Sequence, residues 1–63
     1  LFSKFRKIVK VSFSSRRKII LNNLTPVLGR DQSMEILART GIDPGLRAEQ
    51  IKPEMFVRLA ENL

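Results

Sequence analysis

A chain of 63 residues with neither Cys nor His has no disulfide, no thiol nucleophile and no zinc site built on those ligands. A domain this small buries only about 60% of its unfolded surface. Natural domains of such size often add a disulfide or a metal. Here apolar packing must suffice, alone or docked on something larger. One domain at most fits. The absence of Cys fits an intracellular protein, and Leu1 in place of an initiator Met suggests a segment of a longer chain.

The apolar pattern is helical throughout. Phe2, Phe5, Ile8, Val9, Ser12 and Phe13 share one face of a helix running from about Ser3 to Phe13, with Lys4, Arg6, Lys7 and Lys10 on the other. Ser14 or Ser15 is placed to cap a second helix from about Arg16 to Leu24 or beyond, with Phe13, Ile20, Leu21, Leu24 and Leu28 as its stripe. Pro26 limits its regular hydrogen bonding. Gly29 to Gln32 read as a turn. Asp31 or Ser33 then caps a third helix of about two turns, with Met34, Leu37 and Ala38 inward and Gly41 as its stop. Asp43-Pro44-Gly45-Leu46 fits a type II turn. Pro53 opens a last helix lined by Met55, Phe56, Leu59, Ala60 and Leu63. No stretch alternates like a strand. The expectation is an all-α bundle of four short helices with Phe5, Val9, Phe13, Leu24, Leu37, Phe56 and Leu59 buried together.

Charge points to a polyanionic partner. Residues 1–30 carry eight cations and no acid, whereas residues 31–63 carry six acids and four cations. Nucleic acid is the first candidate and an anionic membrane the second. No apolar run approaches the roughly 20 residues that span a bilayer, and no secretory signal is visible. Membrane binding by the first helix would also leave the other helices without a core to cover, so RNA is preferred. Arg16-Arg17-Lys18, after two serines at an expected helix start, would meet phosphate with guanidinium forks and backbone N–H groups. At 100° per residue Arg16 lies at the edge of the stripe, Lys18 outside it and Arg17 within it. Arg17 is therefore expected either to contact RNA or to pair with a buried acid, Glu49 being the candidate. The phenylalanines all fall on apolar stripes, which favours core packing over base stacking. With no Tyr or Trp, recognition should use phosphate and RNA shape. Asn22-Asn23-Leu24-Thr25-Pro26 is a poor match to the Asn/Asp-Pro-aromatic motif that holds a target amine, so the asparagines should hydrogen-bond within or beside the helix. No Gly-rich turn follows a strand, so a cofactor cradle is not expected, nor is a catalytic pair or a metal site.

The order of motifs is similar to one family. Phe13-Ser14-Ser15-Arg16-Arg17-Lys18, Asn22-Asn23-Leu24, Gly41-Ile42-Asp43-Pro44, Leu46-Arg47-Ala48-Glu49 and Phe56-Val57-Arg58-Leu59-Ala60 together resemble the C-terminal region of the ribosomal RNA adenine dimethyltransferases. The resemblance covers nearly the whole chain. It implies a small helical domain, residues 1–63, that follows a SAM-binding Rossmann-like catalytic domain absent from this chain. The parent enzymes dimethylate N6 of adjacent adenines in small-subunit rRNA, late in subunit assembly. The resemblance thus implies as partners small-subunit rRNA or the assembling subunit, and the enzyme's own catalytic domain. It implies S-adenosylmethionine as the parent's cofactor, no cofactor here, no activity for this chain alone, and residence in the cytoplasm or an organelle. The family's basic motif carries over to Arg16, Arg17 and Lys18; Lys4, Lys7 and Lys10 on the first helix complete the expected RNA-binding set. Ile19 and Leu21 stand where relatives often have Thr and Arg, and Lys52 where a capping Ser is common. Macrolide-resistance methyltransferases and mitochondrial transcription factors share the domain, but Asn-Asn-Leu and Leu-Arg-Ala-Glu favour the small-subunit enzymes. The alternative from another class is a free-standing basic nucleic-acid-binding module.

Overall fold

A computed structural model describes residues 2–63, Phe2 through its backbone only, so the expected place of the Phe2 side chain lies outside the described residues. Four α-helices and one short 3₁₀ turn follow in order: α1 (Phe2–Ser12), α2 (Ile20–Leu28), α3 (Arg30–Thr40), the 3₁₀ turn (Ala48–Gln50) and α4 (Pro53–Glu61). Among the described residues there is no strand, as the helical periodicity required. The helices close a ring in which α1 packs on α2 and α4, and α3 packs on α2 and α4.

The core lies inside that ring. Ile20, Leu24, Leu37 and Leu59 are wholly buried, with Ile8, Leu21, Ile36, Ile42, Ile51 and Phe56 around them. Burying each such side chain contributes about 1.5–3 kcal/mol. Of the expected core, Leu24, Leu37, Phe56 and Leu59 are in place, and Phe5 and Val9 are half-buried at its edge. Phe13 is not part of it. It sits one residue beyond α1 with 45% of its surface exposed.

Local rules explain α4 and the end of α3. Pro53 starts α4, where its missing N–H costs nothing and its φ is already helical. Lys52 precedes it without a side-chain cap. Gly41 ends α3 in the left-handed region, φ +73°, ψ +22°. Its N–H bonds back to Ala38 O, and Ile42 N–H to Leu37 O.

Several boundaries differ from the expectation, each for a physical reason. Gly29 alone, not a four-residue turn, joins α2 to α3. Its φ of +83° with ψ of +156° reverses the chain in one step and is open essentially only to glycine. The third helix therefore starts at Arg30, without a side-chain cap from Asp31 or Ser33, and runs 11 residues. Its inward stripe is Ser33, Ile36, Leu37 and Thr40; Met34 and Ala38 are exposed. Thr40 tolerates burial because its Oγ1 bonds to Ile36 O at 2.9 Å and Leu37 O at 3.2 Å. The Asp43–Leu46 turn is closed by Leu46 N–H to Asp43 O, but Gly45 has no positive φ, so it is not type II. Asp43 Oδ1 instead accepts the Gly45 N–H at 2.8 Å, an Asx turn that makes positive φ unnecessary.

Candidate nucleic-acid interface

The second helix begins at Ile20, four residues after Arg16, so Arg16, Arg17 and Lys18 lie in the loop before it and not in its first turn. Two causes combine. Three cations at a helix N-terminus would oppose the positive end of the macrodipole. The N–H groups that open α2 are also already used: Ile20 donates to Leu46 O at 2.6 Å and Leu21 to Pro44 O at 3.4 Å. Neither Ser14 nor Ser15 caps the helix, and its start is not open to an anion as the sequence suggested.

The loop is held from below by Asn23. This side chain is 4% exposed. Its Nδ2 donates to Ser12 O at 2.8 Å and to Ser15 O at 3.0 Å, and its Oδ1 accepts from Ser14 Oγ at 3.3 Å. One buried amide thus ties the end of α1 and the following turn to α2. The expectation that the asparagines bond beside the helix holds for Asn23; Asn22 is exposed.

Arg16, Arg17 and Lys18 are all exposed on this pinned loop. Arg17 does not enter the apolar stripe and forms no ion pair with Glu49. Its side chain needs no buried acid, because leaving the helix removed it from the core-facing register. Among the described residues the salt bridge recorded is Glu35–Arg39, one turn apart on the surface of α3. Ile19 and Leu21 have joined the core, half-buried and buried respectively.

Lys4, Lys7 and Lys10 are exposed on α1. Lys4 and Lys7 flank an apolar groove between α1, α2 and the C-terminus that includes Ile8, Val11, Leu24 and Val27. Arg16 borders a different depression, with Phe13, Ala48 and Glu49. The expected cations therefore do not converge on one cavity. Lys4, Lys7 and Lys10 lie one turn apart along the outer side of α1, and Arg16, Arg17 and Lys18 lie on the loop that follows it. Sequence reasoning missed Phe13 as part of this surface, since its position on the stripe concealed that the helix ends before it.

The surface offers exposed cations whose guanidinium and ammonium groups match phosphate in chemistry. Among the described residues no three His, Cys, Asp or Glu side chains are grouped to hold a metal ion. Among the described residues no helix is long and apolar enough to cross a membrane. S-adenosylmethionine does not fit here either. Without a strand among the described residues there is no strand–loop–helix cradle, and Gly29 and Gly41 are used to end helices.

Over 62 residues, 98% of its length, the chain is 45% identical to ribosomal RNA small subunit methyltransferase A of Neisseria meningitidis. The chain matches the C-terminal region of ribosomal RNA small subunit methyltransferase A. The same methyltransferase from Nostoc sp. is 37% identical over 95% of the chain, and that from Syntrophotalea carbinolica 47% identical over 90%. In each case the chain spans 22% of the relative's length. No protein-family model and no solved structure matches the chain. The motif order read from the sequence and these methyltransferase relatives thus agree.

Proposed function

We propose that the domain grips small-subunit ribosomal RNA and holds it for the catalytic part of a SAM-dependent adenine N6-dimethyltransferase acting in ribosome biogenesis. Arg16, Arg17 and Lys18 of the loop and Lys4, Lys7 and Lys10 of α1 meet the phosphates. The observation that carries this reading is the loop itself. Three consecutive cations are exposed on a segment that Asn23 fixes in place. Fixing it beforehand lowers the ordering cost of binding, and a guanidinium fork matches two phosphate oxygens. Similarity to small-subunit methyltransferases favours small-subunit over large-subunit rRNA. In this reading the cofactor, the methyl transfer and the target adenine belong to the catalytic domain, while the helical domain supplies affinity and orientation. The partners are the assembling small subunit and that catalytic domain, and the place of action is the cytoplasm or an organelle.

Titration with a small-subunit rRNA hairpin at increasing salt tests it. Log affinity should fall linearly with log salt, and each of Arg16→Ala, Arg17→Ala and Lys18→Ala should reduce the slope by about 0.7–0.9. Binding indifferent to salt would overturn the proposal, and equal affinity for duplex DNA would replace it with a free-standing nucleic-acid module.

A further inference from the structure

Phe13 is the only phenylalanine with a described side chain that stands in the exposed class. Its ring leans on Phe56, centroids 5.8 Å apart and planes at 39°. That contact anchors the ring while 45% of the residue faces solvent. Beside it lies an open depression of about 240 Å³ lined by Phe13, Arg16, Ala48 and Glu49. Packing on Phe56 uses only part of the ring, and the rest faces solvent beside the Arg16 guanidinium. Two further details narrow its occupant. Three cations follow within five residues of Phe13, so the occupant carries negative charge. Glu49, which lines the same depression, is exposed and takes no hydrogen bond or ion pair among the described residues. A carboxylate repels phosphate but accepts a hydrogen bond from an amino group.

We propose that Phe13, Arg16 and Glu49 seat one unpaired RNA nucleotide. Its base lies on the Phe13 ring, its phosphate meets Arg16, and its exocyclic amino group donates to the Glu49 carboxylate. The proposal rests on the RNA-binding reading above and adds to it a single-nucleotide subsite on the loop side of α1. Every base has a π face, so stacking alone is indifferent to sequence. The Glu49 acceptor makes the seat prefer a base with an exocyclic amine, cytosine over uracil among the pyrimidines. The seat selects looped or bulged RNA over continuous duplex, because a paired base can neither leave its stack nor offer its amine.

The test uses three RNA hairpins of equal charge. One carries a single unpaired cytosine, the second an unpaired uracil and the third is fully paired through its stem with a minimal loop. Stacking on an aromatic side chain is worth between about five-fold and a hundred-fold in affinity. Phe13→Leu keeps apolar volume and should melt like the wild type, yet lose at least about five-fold in affinity for the cytosine hairpin and nothing for the paired one. Phe13→Tyr, which keeps the ring, should restore binding. Glu49→Ala should erase the preference for cytosine over uracil. If the wild type binds with full salt dependence but Phe13→Leu binds the cytosine hairpin equally well, the nucleotide seat is wrong and the electrostatic reading stands; Phe13 would then belong to a protein-docking face. If the wild type shows no salt-sensitive binding, both fall.

Discussion

Replacing Asn23 with Ala removes a single amide, yet that amide links α2 to the end of α1 and to the basic loop. It makes two donor hydrogen bonds of 2.8 and 3.0 Å while 4% exposed. Each contributes about 1 kcal/mol net, and stranding the buried Ser12 carbonyl adds a desolvation cost of about 1–3 kcal/mol. The expected loss is therefore about 3–5 kcal/mol. A domain of this length has in total roughly 3–9 kcal/mol. With about 4–8 °C per kcal/mol at this size, the melting temperature should fall by roughly 12–40 °C, read by circular dichroism. Asn23→Asp separates hydrogen bonding from shape. At neutral pH its carboxylate would face two carbonyl oxygens and could donate to neither, so it should be worse than Ala. Burial beside those oxygens raises the carboxyl pKa in the folded state above its unfolded value. The folded state then binds more protons, and the deficit should shrink as pH falls from 7 toward 4. In the well-folded fraction below the melting transition, Asn23→Ala should also bind RNA more weakly, since the loop loses its tether. An Asn23→Ala domain melting within about 2 °C of wild type would refute the claim that this amide holds the loop.

Phe56→Ala should cost about 3–5 kcal/mol, enough to unfold much of the population at 37 °C, because the side chain is buried against α1; a folded variant with unchanged urea midpoint contradicts the core assignment. Gly41→Ala forces an L side chain to φ +73° with no steric neighbour, so the loss should be pure backbone strain of about 1–2 kcal/mol. An unchanged melt would show that α3 ends otherwise. Arg17→Ala and Glu49→Ala should each stay within about 0.5 kcal/mol of wild type in stability, both residues being exposed and unpaired with each other. A clear drop in either melting curve would restore a structural ion pair.

What sequence reasoning could read was local. The stripe of α4, Pro53 at its start and Gly41 at the end of α3 follow from residues within one turn of each other. The basic loop was misread as helix because its determinants are distant in sequence. The Pro44 and Leu46 carbonyls occupy the first N–H groups of α2, and Asn23 reaches back 11 residues to Ser12. No periodicity announces either contact. The face of α3 was rotated for another reason: Ser33 and Thr40 are the polar half of a perfect helical stripe with Ile36 and Leu37. Hydropathy selects Met34 and Ala38 in their place, and only the back-bonding of Thr40 shows why a hydroxyl can turn inward. At the candidate interface the cation cluster was evident from composition, whereas Phe13 needed the true end of α1 to be recognised as surface.

The outer strip of α1 carries a consequence for the stability of the whole domain. Lys4–Lys7, Lys7–Lys10 and Arg6–Lys10 are like-charged pairs one turn apart, and no acid occupies the first turn to satisfy the helix dipole. Each pair opposes the helix by a few tenths of a kcal/mol. The helix is held mainly by its neighbours, so it should be among the first elements to open in local fluctuations. A bound polyanion cancels that repulsion and ties occupancy to folding: ligand at a hundred times its Kd adds about 2.7 kcal/mol to stability. The charge that recruits the partner thus makes the domain's own firmness conditional on the partner's presence.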